Sequence, residues 1–163
     1  MSNHKNNMHV LEERFYSNPD IKKVEMGEPM PTTDHAVKLT GAAPREIIKT
    51  LLLKSNKDQY YAVILCAPDR LDQNKLRKLV KAKKLRFVRS EEVMELTGYE
   101  AGGVPPLGLP SEFQLLLDEN VLEQSRVFGG GGKQELLMEL NPHLIETLAK
   151  PEINNYKLEE PEQ

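Results

Sequence analysis

Two apolar runs, residues 47–54 and 60–67, stand on either side of the polar tetrapeptide Ser55-Asn56-Lys57-Asp58, and this arrangement constrains the chain more than any other feature. Both runs are rich in Ile, Leu, Val and Tyr, and the linker allows only a reversal, so they are predicted to pair as an antiparallel hairpin. Strand alternation puts Lys49, Leu51 and Leu53 on one face and Ile48, Thr50 and Leu52 on the other. Both faces then carry apolar side chains, and the hairpin needs cover on both sides.

The rest of the chain supplies candidates for that cover. Apolar periodicity predicts helices over residues 10–17, from a Thr33 cap to a stop at Gly41, after Asp72, from Ser90 to Gly98, and beyond Asn141-Pro142. The helix after Asp72 takes Leu71, Leu76, Leu79 and Val80 as its apolar stripe. Shorter strands are predicted at residues 21–26, 85–88, 113–117, 126–129 and 135–140. Hairpins mixed with interspersed helices indicate a single α+β domain, built on a mixed, mostly antiparallel sheet or partial barrel with helices around it. At 163 residues and 39% hydrophobic content there is enough chain for one core. Its expected limits are residues 10–150, between a disordered start at 1–9 and an acidic tail at 151–163.

Composition excludes several classes of function. No apolar run approaches the ~18 residues that span a bilayer, and the start lacks the pattern of a signal peptide, so a cytoplasmic protein is expected. Cys66 is the single cysteine, which rules out an internal disulfide and suits a small buried residue at a strand end. The four histidines, His4, His9, His35 and His143, lack ligand spacing, and neither a metal nor a cofactor is expected.

The net charge of −3 conceals a segregation. Lys75, Arg77, Lys78, Lys81, Lys83, Lys84, Arg86 and Arg89 follow one another with no acidic residue between them. Lysines at helical spacing, Lys75, Lys78, Lys81 and Lys84 among them, are candidates for a track along an RNA backbone, against the ordinary reading of a solvated helix surface. The scarcity of aromatics argues against a platform for long single-stranded RNA.

Three features carry chemistry. Lys49 interrupts an apolar strand, where an unpaired ammonium is costly, so it either opens onto a polar pocket or meets an anion, or else snorkels from a strand end. Residues 102–110 hold three glycines and three prolines. Such a loop is suited to presenting backbone N–H groups to a ribose, phosphate or oxyanion, or is simply a tight connection. Residues 129–133, Gly-Gly-Gly-Gly-Lys, fail the P-loop pattern at Val127 and Gln134, which disfavours a nucleotide binder. They fit backbone lying close to a ligand or a strand, or a flexible hairpin. No serine elbow or cysteine–histidine pair is visible, and covalent catalysis is disfavoured.

Taken in order, Glu46-Ile47-Ile48-Lys49-Thr50-Leu51-Leu52-Leu53, Leu71-Asp72-Gln73-Asn74-Lys75-Leu76, residues 97–108, the glycine loop and Glu139-Leu140 resemble the YbaK/ProX family, the editing domain also inserted in bacterial prolyl-tRNA synthetases. The resemblance covers about residues 33–148 and implies a free-standing deacylase of mischarged tRNA, acting in trans. Lys49 matches the family's strand lysine, and residues 102–106 match its G-x-x-x-P loop, which helps seat the terminal adenosine. On this basis Lys49, Gly102 and Gly130 are the expected catalytic positions. Thr33, Thr50, Gly103, Val104, Pro105, Pro106, Gly131 and Leu137 are expected at the substrate. Lys133-Gln134-Glu135 departs from the Cys-tRNA-clearing branch, and the apolar Leu137 suits a small, uncharged aminoacyl group. The expected partners are mischarged tRNA and an aminoacyl-tRNA synthetase; the alternative is a non-catalytic tRNA- or synthetase-binding module of the same fold.

Overall fold

The computed structural model describes residues 7–159. In chain order, α1 (Met8–Val10, continuing as a π-type turn over Leu11–Phe15) is followed by β1 (Lys22–Glu25), α2 (Thr33–Thr40), β2 (Ile48–Ser55) and β3 (Tyr60–Cys66). Then come α3 (Gln73–Leu79), β4 (Leu85–Phe87), α4 (Ser90–Thr97), β5 (Phe113–Asp118), β6 (Val127–Gly130), β7 (Leu136–Leu140), α5 (His143–Ala149) and β8 (Glu152–Asn154). The strands form two open sheets, ordered β1-β7-β6 and β4-β2-β3-β5-β8. A parallel bridge between Ile47 and Phe128 joins them. This is the mixed-sheet α+β domain that the sequence predicts, in its open form rather than as a barrel.

The hairpin forms as expected, with Lys49 opposite Leu65 and Leu53 opposite Tyr61. Ser55 closes it: its hydroxyl accepts from the amides of Lys57 and Gln59, and Asp58 takes the left-handed conformation that Asp tolerates. β3 is the hidden centre, because β2 flanks it antiparallel and β5 parallel, and its residues from Ala62 to Cys66 are fully buried. Tyr61, Val63 and Leu65 pack with Leu76 of α3 on one face, while Ile64 and Cys66 join Leu11, Phe15 and Ile145 on the other.

Several element ends differ from prediction. Thr32, not Thr33, caps α2, its hydroxyl accepting from the His35 amide. α3 starts at Asp72 as expected, with the carboxylate accepting from the Lys75 amide, but it stops at Leu79. Leu79 is therefore 46% exposed rather than part of an apolar stripe, and Lys81 turns left-handed. Lys81 and Lys84 lie beyond the helix, so the lysines do not share one helical face.

The helical start begins at Met8, two residues earlier than predicted, and the Asn7 amide donates to Gly98 O at 2.9 Å. The disordered start expected at 1–9 otherwise concerns residues 1–6, which lie outside the described residues, as do 160–163 of the acidic tail. Residues 152–154 of that tail form β8 beside β5, an element that charge counting concealed. Tyr156 anchors it: the ring is buried, and its amide donates at 2.7 Å to the buried Asp118 carboxylate, which also accepts from Asn120. Among the described residues no helix is long and apolar enough to cross a membrane.

Candidate active site

The site forms where β2 lacks a neighbour. Ala67 N donates to Ile47 O, and Val88 N donates to Leu52 O. In an antiparallel ladder these two bonds fix the alternation, so even-numbered residues of β2 turn their backbone groups away from β3. β4 pairs only with Leu53, Lys54 and Ser55, and β6 touches the other end at Ile47. Between them the Thr50 edge of the strand stays open.

Two clefts meet at this gap. The first encloses 320 Å³ between the 29–33 loop, Ala36, Phe128, Gln134 and Leu137. The second encloses 490 Å³ along Thr50, Leu51 and Leu52, under Phe87, Val88 and Val104. Ile48, Lys49, Gly102 and Gly130 line both.

Lys49 is half-buried at the junction, and its ammonium donates to Ala67 O at 3.0 Å and to Asp69 O. Burial pulls its pKa below the ordinary lysine value; Asp69 partly offsets this, and Arg70 adds to it. An ammonium has three donors, so two carbonyls leave one for a bound group. The turn that carries those carbonyls is itself clamped. Both Asp69 carboxylate oxygens accept from the Arg45 guanidinium at 3.0 Å, and Asp69 N donates to Cys66 O. Hydrogen bonding to Arg45 holds the Asp69 carboxyl below its usual range, and burial pushes the Cys66 thiol up to about 11.

A carboxylate with a depressed pKa contributes stability above its unfolded value, and that contribution disappears as pH falls through the folded one. The Arg45–Asp69 pair is therefore expected to stabilise the fold above about pH 4 and to lose that effect on acidification. Arg45 is 40% exposed, so screening limits the pair to about 1 kcal/mol. Melting Arg45→Ala from pH 2 to 7 checks this: the deficit against wild type is expected in full at pH 7 and is expected to shrink steadily as pH falls below about 4.

The two glycine loops pack backbone to backbone. Gly132 N donates to Gly103 O at 2.7 Å; a Cβ on Gly103 would meet the Lys133 backbone at 2.6 Å, and one on Gly130 would overlap Val104 O. The amides of Gly103, Gly131 and Gly132 are taken by Glu100 O, Leu136 O and Gly103 O. Gly102, at φ +86, keeps an amide with no acceptor among the described residues, at the point both clefts share.

Of the residues singled out in the sequence, Lys49, Gly102 and Gly130 come together. Thr33 and Leu137 line the first cleft, and Thr50 and Val104 the second. Gly103, Pro105, Pro106 and Gly131 are buried and line neither; they build the loops that form the walls. Lys78, Lys81 and Lys84 are exposed and Lys75 half-exposed, outside both clefts. Sequence reasoning missed Arg45 and Asp69, 24 residues apart with no periodic signal, and Gln134, whose side chain donates to Ala101 O and ties the loops together. Among the described residues no group of three His, Cys, Asp or Glu gathers as a metal site.

Comparison with known proteins adds kinship to this geometry. The sequence profile of the aminoacyl-tRNA editing domain matches residues 27–148. A Bacillus subtilis protein of uncharacterized function, YwhH, is 30% identical over 68% of this chain and 70% of its own. A candidate Cys-tRNA(Pro)/Cys-tRNA(Cys) deacylase of Enterococcus faecalis, EbsC, is 30% identical over 66% of each chain. The proline–tRNA ligase of Bacillus licheniformis is 30% identical over 64% of this chain, which spans only 18% of the ligase. A crystal structure described as a candidate trans-editing enzyme for prolyl tRNA synthetase superposes with a TM-score of 0.82 at 31% identity, covering 93% of this chain and 94% of that one.

Proposed function

The chain belongs to the aminoacyl-tRNA editing domain family, and from that premise we propose that it is a trans-acting deacylase, hydrolysing the ester between a wrongly attached amino acid and the 3′ end of a tRNA. The observation that carries this reading is the half-buried Lys49 cation at the junction of two clefts, beside the uncommitted amide of Gly102.

In this mechanism the terminal ribose and its ester sit at the junction. Lys49 offers its remaining N–H to the ester or to the 3′ end, and the Gly102 amide, with backbone at Gly130, faces the oxygen that gains charge. Water adds to the ester carbon, the carbon–oxygen bond to the ribose breaks, and the products are the free amino acid and a tRNA with its hydroxyl restored. An aminoacyl ester is already activated, so positioning and fixed electrostatics suffice without a protein nucleophile. The substrate's own hydroxyl or amine assists the proton transfers.

The first cleft takes the aminoacyl group. Ala36, Phe128 and Leu137 give it apolar walls, which favours a small, uncharged side chain; Thr33 lies at its rim. Apolar walls separate neighbours that differ by one methylene by only about 1–3 kcal/mol, so selection among small residues is modest. Thr50 and Val104 border the second cleft, which takes the terminal nucleoside. Lys75, Lys78, Lys81 and Lys84 lend positive surface to the rest of the tRNA, a synthetase supplies further affinity, and the reaction takes place in the cytoplasm, where tRNAs are charged.

A panel of mischarged tRNAs at two salt concentrations tests the proposal. Loss of ester above the spontaneous rate, strongest at low salt, is the expected result. Salt-sensitive binding with no loss of any ester makes the protein a binding module of the same fold and contradicts the deacylase.

A further inference from the structure

Lys54, Arg77, Lys83, Lys84 and Arg86 converge around Leu85 in a groove of 480 Å³ beside β4. Such a concentration is not imposed by composition, since the chain as a whole carries a net charge of −3. Two of the charges are answered: Lys54 meets Asp58 at 3.1 Å, and Arg86 donates to both Glu92 oxygens at 3.0 and 3.3 Å. Arg77, Lys83 and Lys84 have no carboxylate at ion-pair distance among the described residues, and both lysines are exposed. The segment is held in place, because Asn56 N donates to Lys84 O while its side chain accepts from Lys84 N. A fixed groove with unanswered positive charge raises the local concentration of anions.

The groove also stands on the strand that carries Lys49, with Phe87 next to Arg86 in β4 between them. From Lys49 to Lys54, β2 rises about 17 Å at ~3.3 Å per residue. Lys54 pairs with Arg86, and Leu53 with Phe87. Phe87 lines the second cleft together with Lys49 and is 45% exposed. A large aromatic left open between a cationic site and a basic groove offers a π-face for a base, and only an unpaired base can lie on it. With one ring between them, the strand it suits is short.

We propose that this groove holds backbone phosphates of the unpaired 3′ strand of the tRNA, with a base of that strand stacked on Phe87 as its terminal ester reaches Lys49. The assignment rests on the editing reading for the identity of the strand, and it adds Lys54, Arg77, Lys83, Arg86 and Phe87 to the surface that contacts RNA.

Binding of uncharged tRNA across a salt series tests the groove without any turnover. Lys83→Glu combined with Lys84→Glu is expected to weaken binding by about tenfold or more and to flatten the plot of log K against log salt by about 2. Phe87→Leu keeps apolar bulk without the ring, and is expected to weaken binding about tenfold with the salt slope unchanged. Lys150→Glu, the same kind of charge reversal next to the opposite sheet edge at β8, is expected to bind as wild type. Wild-type protein that ignores uncharged tRNA, or a lysine pair variant that matches Lys150→Glu, overturns the groove; an unaffected Phe87→Leu overturns the stacked strand. A protein that binds through the groove yet releases no amino acid from any tRNA keeps this site and loses the editing reading, so the two failures are distinguishable.

Discussion

Lys49→Ala is expected to lower kcat/KM for deacylation of a mischarged tRNA by about 10²–10³-fold, the size of effect seen when one preorganised donor is removed from a site of developing charge. The folded protein has little reason to suffer, because the turn whose Ala67 and Asp69 carbonyls lose these bonds is also held by the Arg45–Asp69 pair and by Asp69 N on Cys66 O. An intact melting temperature with a lost rate is the expected pair of readings. The pH dependence follows from the direction of the shift. Burial favours the neutral amine, so the cation is lost at a pH below the ordinary lysine value of 10.5. The enzymatic rate, corrected for hydroxide-driven hydrolysis, is expected to fall as pH rises through that lowered value, and the alanine variant to lack that limb. A variant with the wild-type rate would remove Lys49 from the chemistry.

Gly130→Ala is expected to be the most damaging single-methyl change. Its Cβ would overlap the carbonyl oxygen of Val104 and stand 2.8 Å from the carbonyl carbon of Gly103, both backbone atoms of the facing loop. Backbone cannot rotate out of the way as a side chain can, so the loops must part, at a cost of about 3 kcal/mol. For a chain of this size that lowers the melting temperature by about 10 °C. Gly27→Ala is the contrast: its φ is +81, but nothing lies within 4 Å of the added carbon. It is expected to cost only the left-handed strain, about 1 kcal/mol. Thermal melts of the two variants side by side check the difference, and equal losses would show that loop contact is not what requires glycine at 130.

What the sequence made legible follows from the range of the signal. The β2–β3 hairpin was readable because alternation, β-branched content and a polar reversal all lie within residues 47–67. The position of Lys49 was readable for the same reason, since a charge inside an apolar strand conflicts with its neighbours. The Arg45–Asp69 clamp was not, because nothing local distinguishes that arginine from others on a turn. Glycine runs proved ambiguous in a specific way. Close approach of a ligand and close approach of another backbone both exclude a Cβ, and only the fold shows that a facing backbone lies against Gly103 and Gly130, while the Gly102 amide has no acceptor among the described residues. β8 was hidden because the acidic residues of the tail outnumber its anchor, Tyr156, although burial of one aromatic ring and a bond to Asp118 outweigh solvated charges. The expected helical stripe of lysines failed at Leu79, where α3 ends before the pattern does.

In the proposed mechanism everything turns on the Lys49 ammonium meeting the ester-bearing end of the substrate in the cleft. The most direct measurement is ¹⁵N NMR of the lysine side-chain amines during titration with a 3′-aminoacyl adenosine analogue, its ester replaced by an amide that the protein cannot hydrolyse. The resonance that disappears in Lys49→Ala identifies the amine. The expected result is that this signal moves with saturation of the analogue while those of exposed lysines stay in place. If the analogue binds and the Lys49 signal does not move, the amine serves only to hold the 67–69 turn, and the deacylase mechanism built on it is wrong.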